Sequence, residues 1–339
     1  WQHPERGLLA PAEFLPIIED HPLAIKLGEW VIETALSQIE NWQYQGLDIP
    51  ISVNISALQL QHVDFIERLK ALLSAHPSIP SGYLEIEVLE TSALEDIDNI
   101  SLVIEECRKL DVAFALDDFG TGYSSLTYLK RLSVKMLKID KSFVRDMLYD
   151  RDDLSILEGV IGLANAFRRT VIAEGVETIE HGEMLLQLGC ELAQGYGIAR
   201  PMHADKMPKW IETWCSPKSW QKCQRLSFDK LMMLHATVEH RAWLIAFEHY
   251  LKNENSHPPP LDHHLCHYGQ WLDNERSQET AHLPEFDDID TLHQQVHFLA
   301  AELYQLHTDG QQEKALSRLE ELYKLRDKLI QTMKNMLLK

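Results

Sequence analysis

The sequence predicts an α/β fold, a TIM-like (β/α)8 barrel incomplete at its N-terminus, followed by an all-α helical bundle. Three observations carry that expectation. Between about residues 51 and 197, short β-rich runs alternate with amphipathic helical segments, the pattern of βαβ units and a parallel sheet. Nearly every run closes on a polar residue, which suits a barrel whose functional groups gather where the strands end. Beyond about residue 215 the strands stop and the apolar spacing becomes helical.

In chain order the strand runs are ISVNIS (51–56), YLEIEVLE (83–90), VAFALDD (112–118), KMLKID (135–140), TVIAEGVE (170–177) and CELAQGYG (190–197). Segments such as VDFIERLKALLSA (63–75) and ISLVIEECRKL (100–110) lie between them with helical spacing. Six runs are two short of a closed barrel, and a doubly wound open sheet with its site at a switch point shares the same pattern. The domain reading is therefore a barrel over 1–215, a linker over 216–228 and a helical bundle over 229–339. Within the bundle, NENSHPPP (253–260) separates two helices because consecutive prolines cannot continue one, and EKALSRLEELYKLRDKLIQTMKNMLLK (313–339) reads as one charged amphipathic helix.

At 339 residues the chain has ample sequence for a barrel-sized core plus a second domain. A net charge of −20 argues against broad binding to DNA, RNA or anionic lipid, since all three rely on clustered Lys and Arg. The five cysteines have no CxxC spacing, which fits a reducing, cytoplasmic setting better than a disulfide framework. No stretch approaches a membrane span of ~18 apolar residues, so no membrane contact is expected from this chain. The chain opens on Trp1 without an initiator Met, as a piece of a longer protein would.

The strand ends place Glu87, Asp117, Asp118 and Glu174 against the single cation Lys138, with Asn54 and Gln194 on neighbouring ends. Carboxylates a few Å apart repel and raise one another's pKa, a conflict that bound cations remove. Asp, Glu and Asn oxygens suit Mg²⁺ or Mn²⁺, and the lack of Cys and His among them argues against zinc there.

The motifs SVNIS, EVLETSAL, LDDFGTGYSSL, LKIDKSFV, AEGVET and QGYGIARPM, in this order and spacing, resemble those of EAL-type cyclic-di-GMP phosphodiesterases over about residues 1–203. The resemblance implies hydrolysis of cyclic-di-GMP to linear pGpG by a two-metal mechanism, with two Mg²⁺ or Mn²⁺ bound through Asn54, Glu87, Asp117, Asp118 and Glu174. It implies that Lys138 and Glu174 position and deprotonate the attacking water, that Glu177 and Gln194 belong to the same pocket, with Asp140 a weaker candidate, and that Glu90 anchors the DFGTGYSS loop. Tyr123 and Ser124 read as members of a packed turn. The family's name-giving Glu-Ala-Leu stretch falls just before WQHPERG, so its metal-binding Glu and neighbouring Arg lie outside this sequence. The expectation is that the chain as given turns over more slowly than one carrying that stretch. The competing class is a non-catalytic cyclic-di-GMP or partner-binding receptor that relays a zinc signal.

Eleven of the 17 histidines fall after residue 215. His293 and His297 lie one helical turn apart, a spacing that can chelate one ion, and His240 with Cys266 would complete a tetrahedral His3Cys zinc site. His235, His263, His264 or His267 remain alternatives for one ligand, and Trp243 and Trp271 read as core. HRAW (240–243), CHYGQW (266–271) and HQQVH (293–297) together resemble the chemoreceptor zinc-binding (CZB) domain over about 229–310. A closed four-ligand Zn²⁺ site would be regulatory or structural, with occupancy falling at low pH as Cys266 and the imidazoles protonate. The chain is expected to form a homodimer, and zinc to shift the bundle and with it dimerisation or barrel activity.

Overall fold

The structure, a computed structural model, describes residues 1–19, 21–122, 126–276 and 284–337. Tyr123, Ser124 and His282 lie outside the described residues. By contact the chain divides into two compact units, residues 1–141, 159–177 and 190–216 in the first, and 142–158, 178–189 and 217–339 in the second.

The first unit opens with a short antiparallel pair, β1 (Gln2–His3) and β2 (Gly7–Leu8). Six parallel strands follow in a single sheet: β3 (Ile51–Asn54), β4 (Leu84–Leu89), β5 (Ala113–Phe119), β6 (Met136–Ile139), β7 (Thr170–Ala173) and β8 (Leu192–Ala193). All six coincide with the runs expected from sequence. The strand order is sequential from β3 to β8, with no reversal at which a switch point could form. This is the topology of an incomplete (β/α) barrel, and it excludes the doubly wound alternative. The sheet is built of residues such as Val53, Ile86, Val88, Phe114, Leu116, Leu137, Ile139 and Val171, all buried as a parallel sheet requires.

Local chemistry explains the helices between the strands. In Ile97–Lys109 the Asp96 side chain caps the first turn by accepting from Asn99 N–H at 3.3 Å, Arg108 and Lys109 occupy the last turn, and Ile100, Ile104 and Cys107 form the buried face. After β7 and β8 the two loops meet closely. Val176 N–H donates to Gln194 O at 3.0 Å, and a Cβ on Gly195 would fall 2.2 Å from Val176 O. That obstacle is backbone and cannot rotate away. Gly195→Ala is therefore expected to destabilise the chain by about 1–3 kcal/mol, the usual range for overpacking, read as a lower midpoint in urea; an unchanged midpoint would show that the loops can separate freely.

In the second unit, helix Ile179–Leu188 is capped by Thr178 Oγ1, which accepts from His181 N–H at 3.2 Å, and closes on Gly189 at φ +92°. The segment expected as a linker packs onto this helix: Trp220 Nε1 donates to Ile179 O at 2.8 Å, and Leu226 N–H to Gln187 O at 2.9 Å. The C-terminal region is helical, with Phe228–Leu251, His267–Arg276, Pro284–Thr308, Gln312–Ser317 and Leu319–Leu337. Ile289, Leu292, Val296, Ala300 and Leu303 place a buried stripe along the third of these. The single helix expected over 313–339 is instead two. Arg318 leaves helical geometry at φ −97° and ψ 0°, its N–H bonds Ala315 O one residue short of an α-helical partner, and its guanidinium is held by Glu302 and Glu321. No described helix is long and apolar enough to cross a membrane.

Candidate active site and metal centre

In a regular strand adjacent side chains point to opposite faces, so Asp117 and Asp118 cannot both face one site without an irregularity. The structure supplies one. The pairing of β5 with β6 shifts register between Leu116 and Phe119, and Asp118 lies in the left-handed region at φ +53°. The bulge brings carboxylate oxygens of Asp117, Asp118 and Glu174 within 4.8 Å of one another. Glu90 supports the turn that follows: its Oε2 accepts from Gly120 N–H at 2.9 Å, and a Cβ on Gly122 would lie 3.2 Å from its carboxyl carbon. Burial raises the pKa of Glu90, opposed by the N–H groups of Gly120 and Gly122.

Lys138 is the hub of the cluster. Its buried Nζ lies 2.6 Å from Glu87 Oε2, 2.7 Å from Glu174 Oε1 and 3.1 Å from Asp117 Oδ1, the last an ion contact without hydrogen-bond geometry. Burial alone would depress the Lys138 pKa, but the hydrogen bonds it donates to Glu174 and Glu87 outweigh it and hold the ammonium charged. Gln194 Nε2 donates to Glu174 Oε1 at 2.5 Å. Burial raises the Glu174 pKa, with Lys138 opposing. Asp118 is also raised, by burial, then by the charge on Asp117, then by a hydrogen bond shared with Asp140. Asn54 is exposed at the end of β3, in register with Glu87 on β4, and Glu177 is exposed in the loop after β7.

One ammonium among these carboxylates leaves an excess of negative charge, and burial together with the charge on Asp117 raises the Asp118 pKa. The oxygen donors therefore fit a hard divalent cation.

The second cluster lies in the helical region. His240 comes from Phe228–Leu251, and His293 and His297 come from one face of Pro284–Thr308. Ligand nitrogens of all three lie within 4.8 Å of one another, and each residue is at most 2% exposed. Cys266 Sγ is 3.2 Å from His293 Nε2 and accepts from Gly269 N–H at 3.2 Å. Burial pushes the imidazoles down, to about 3 for His240, about 2 for His293 and about 4 for His297, so all three are neutral and able to donate lone pairs. Both ring nitrogens of His240, Nδ1 of His293 and Nε2 of His297 are buried without a hydrogen-bond partner. His297 Nδ1 bonds Leu261 O at 2.9 Å, which puts its proton there and leaves Nε2 free. This donor set fits a tetrahedral zinc ion.

Among the alternatives, His235 bonds Glu158 at 2.7 Å and His264 bonds Asp273 at 2.8 Å. The His263 ring stands 6.1 Å from that of His293, and the His267 side chain lies outside the described residues. Trp243 is buried against His297 at 4.3 Å between ring centroids, and Trp271 stacks on Phe286. Tyr268, which sequence reasoning passed over, is 1% exposed and packs edge-on to both His240 and His293. Its position two residues after Cys266 was the available signal.

Fold and site together define a parallel β/α protein with an acidic cluster at its strand ends, joined to a helical region carrying a buried group of three histidines with Cys266 beside one of them. The EAL domain model matches residues 1–201, and the chain belongs to that family; the chemoreceptor zinc-binding domain model matches residues 240–304. The bifunctional diguanylate cyclase/cyclic di-GMP phosphodiesterase MucR of Pseudomonas aeruginosa is 40% identical over 208 residues, 61% of this chain and 30% of MucR. The cyclic di-GMP phosphodiesterase PA2567 of the same organism is 35% identical over 62% of this chain and 36% of its own length. This chain thus spans about a third of the length of these curated relatives. The structure of the MucR phosphodiesterase in complex with c-di-GMP aligns with a TM-score of 0.59 and 39% identity, over 61% of this chain and 84% of that one.

Proposed function

We propose that this chain hydrolyses cyclic-di-GMP to linear pGpG at the Lys138-centred carboxylate cluster, and that zinc held by His240, Cys266, His293 and His297 regulates it. The observation that carries the reading is the bulge at Asp117 and Asp118, which turns two adjacent carboxylates toward Glu174. Family membership and relatives that act on this dinucleotide support it.

Asp117, Asp118 and Glu174, with Asn54 and Glu87 beside them, would hold two Mg²⁺ or Mn²⁺ ions. When bound, such ions lower the pKa of water and offset charge on the phosphoryl oxygens. Glu174 accepts the proton of the attacking water, and burial, opposed by Lys138, raises its pKa and so its basicity. Gln194 fixes its orientation through Oε1, while Lys138 holds the charge of Glu87 and Glu174 in place. Water oxygen bonds to phosphorus, one ester P–O bond breaks, and the leaving oxygen takes up a proton, which opens the ring. Glu90 keeps the following loop against the site.

A homodimer whose assembly responds to zinc belongs to the same reading. The deciding experiment follows pGpG release by chromatography with Mn²⁺ or Mg²⁺ and after chelation, with and without a Glu-Ala-Leu segment added before Trp1. Metal-dependent release, faster with that segment, is expected. Saturable dinucleotide binding with no release under either condition would favour a receptor.

A further inference from the structure

We propose that a cavity in the second unit binds a small organic anion, a carboxylate or phosphate head on an apolar body, at a site separate from both clusters described above. The cavity measures about 410 Å³, and its lining residues all belong to that unit. This volume lies within the ~300–1,000 Å³ typical of small-molecule sites.

The charge of the lining runs against that of the chain. Lys218, Lys222, Arg241 and Lys334 face Glu180 and Glu183, an excess of cations in a protein of net charge −20. Glu180 and Glu183 are taken up by Arg241 and Lys334, which leaves the exposed Lys218 and Lys222 without a carboxylate partner among the described residues. A single oxygen, Glu180 Oε1, accepts from both Arg241 Nη2 and Lys334 Nζ, each at 2.6 Å, and Glu183 stands 3.9 Å from Lys334.

Arg241 supplies the independent sign of a ligand. It is 7% exposed, and its Nη1 has no hydrogen-bond partner. The guanidinium gives one arm to Glu180 and lies 5.9 Å from the centroid of the Tyr149 ring, and the unpaired N–H groups of its other arm suit one oxygen of a carboxylate or phosphate. Leu234 and Thr237 line the cavity from the same face of the helix that carries Arg241, at spacings of seven and four residues. Met184, Leu234 and Leu337, all buried, give the cavity an apolar wall that an inorganic ion would not use.

The test is calorimetric titration of the full chain at fixed zinc with phenyl phosphate and hexanoate, against inorganic phosphate and acetate. At least one organic anion is expected to bind saturably and about tenfold or more tightly than its inorganic or short counterpart, 1.4 kcal/mol by the usual conversion. Arg241→Gln should weaken that binding by about tenfold or more. Because this change also breaks the pair with Glu180, a Lys218→Gln/Lys222→Gln double variant of two exposed residues serves as the second reading and should weaken binding with its unliganded melting temperature unchanged. The tighter head group identifies the class. No saturable binding, equal affinity for the inorganic ion, or affinity untouched by both variants overturns the proposal.

Discussion

Glu174→Gln is expected to lower cyclic-di-GMP hydrolysis by about a hundredfold to ten-thousandfold while dinucleotide affinity stays within about threefold, because the amide keeps the shape of the side chain and cannot take a proton. The side-chain oxygen of the glutamine can still accept from Lys138 and Gln194, so the local network survives. Glu174 is also one of the three carboxylates within ligand distance of one another, and its loss as a metal ligand must be separated from its loss as a base. Measuring turnover across a wide range of Mn²⁺ does this. A weakened ligand is compensated by more metal, whereas a missing proton acceptor is not. Full recovery at high Mn²⁺, or a loss smaller than about tenfold, would remove the base role. Lys138 makes a poorer test, since deleting a buried partner of Glu87 and Glu174 costs about 3–5 kcal/mol of stability and confounds chemistry with folding.

Most of the barrel's architecture was legible because two periods are distinct in the chain. Runs such as KMLKID are short, apolar and bounded by polar residues, and all six became strands in the expected order. The sites were legible as residue sets for a different reason: their members sit at strand ends or at helical spacing, which sequence displays. What sequence could not display was conformation set by partners far along the chain. The left-handed Asp118 is stabilised by a turn held from Glu90, and nothing in DDFG alone announces a register shift against β6. The break at Arg318 likewise depends on Glu302, sixteen residues away on another helix. The segment around Trp220 looked like a connection because its contacts are with Ile179 and Gln187, which no local pattern encodes.

Zinc is expected to bind at one ion per chain and to raise thermal stability, and Cys266→Ala and His293→Ala are each expected to weaken that binding by at least about a hundredfold, more than the 10–100-fold typical of residues that only support a ligand. The argument rests on buried nitrogens. His240 presents two without partners, and His293 and His297 one each, in a region that excludes water. Leaving such groups unsatisfied costs about 1–3 kcal/mol apiece, and a bound ion would remove part of that cost. At free zinc a thousandfold above Kd, linkage adds about 4 kcal/mol to the folded state. Melting should therefore shift upward by about 10 °C or more for a helical region near one hundred residues. His264→Ala is the control, because that imidazole is exposed and tied to Asp273, and it should leave both stoichiometry and melting unchanged. Circular dichroism checks that Cys266→Ala and His293→Ala retain their helices. Wild-type zinc affinity in both variants would mean that the four side chains form a packed core and hold no ion.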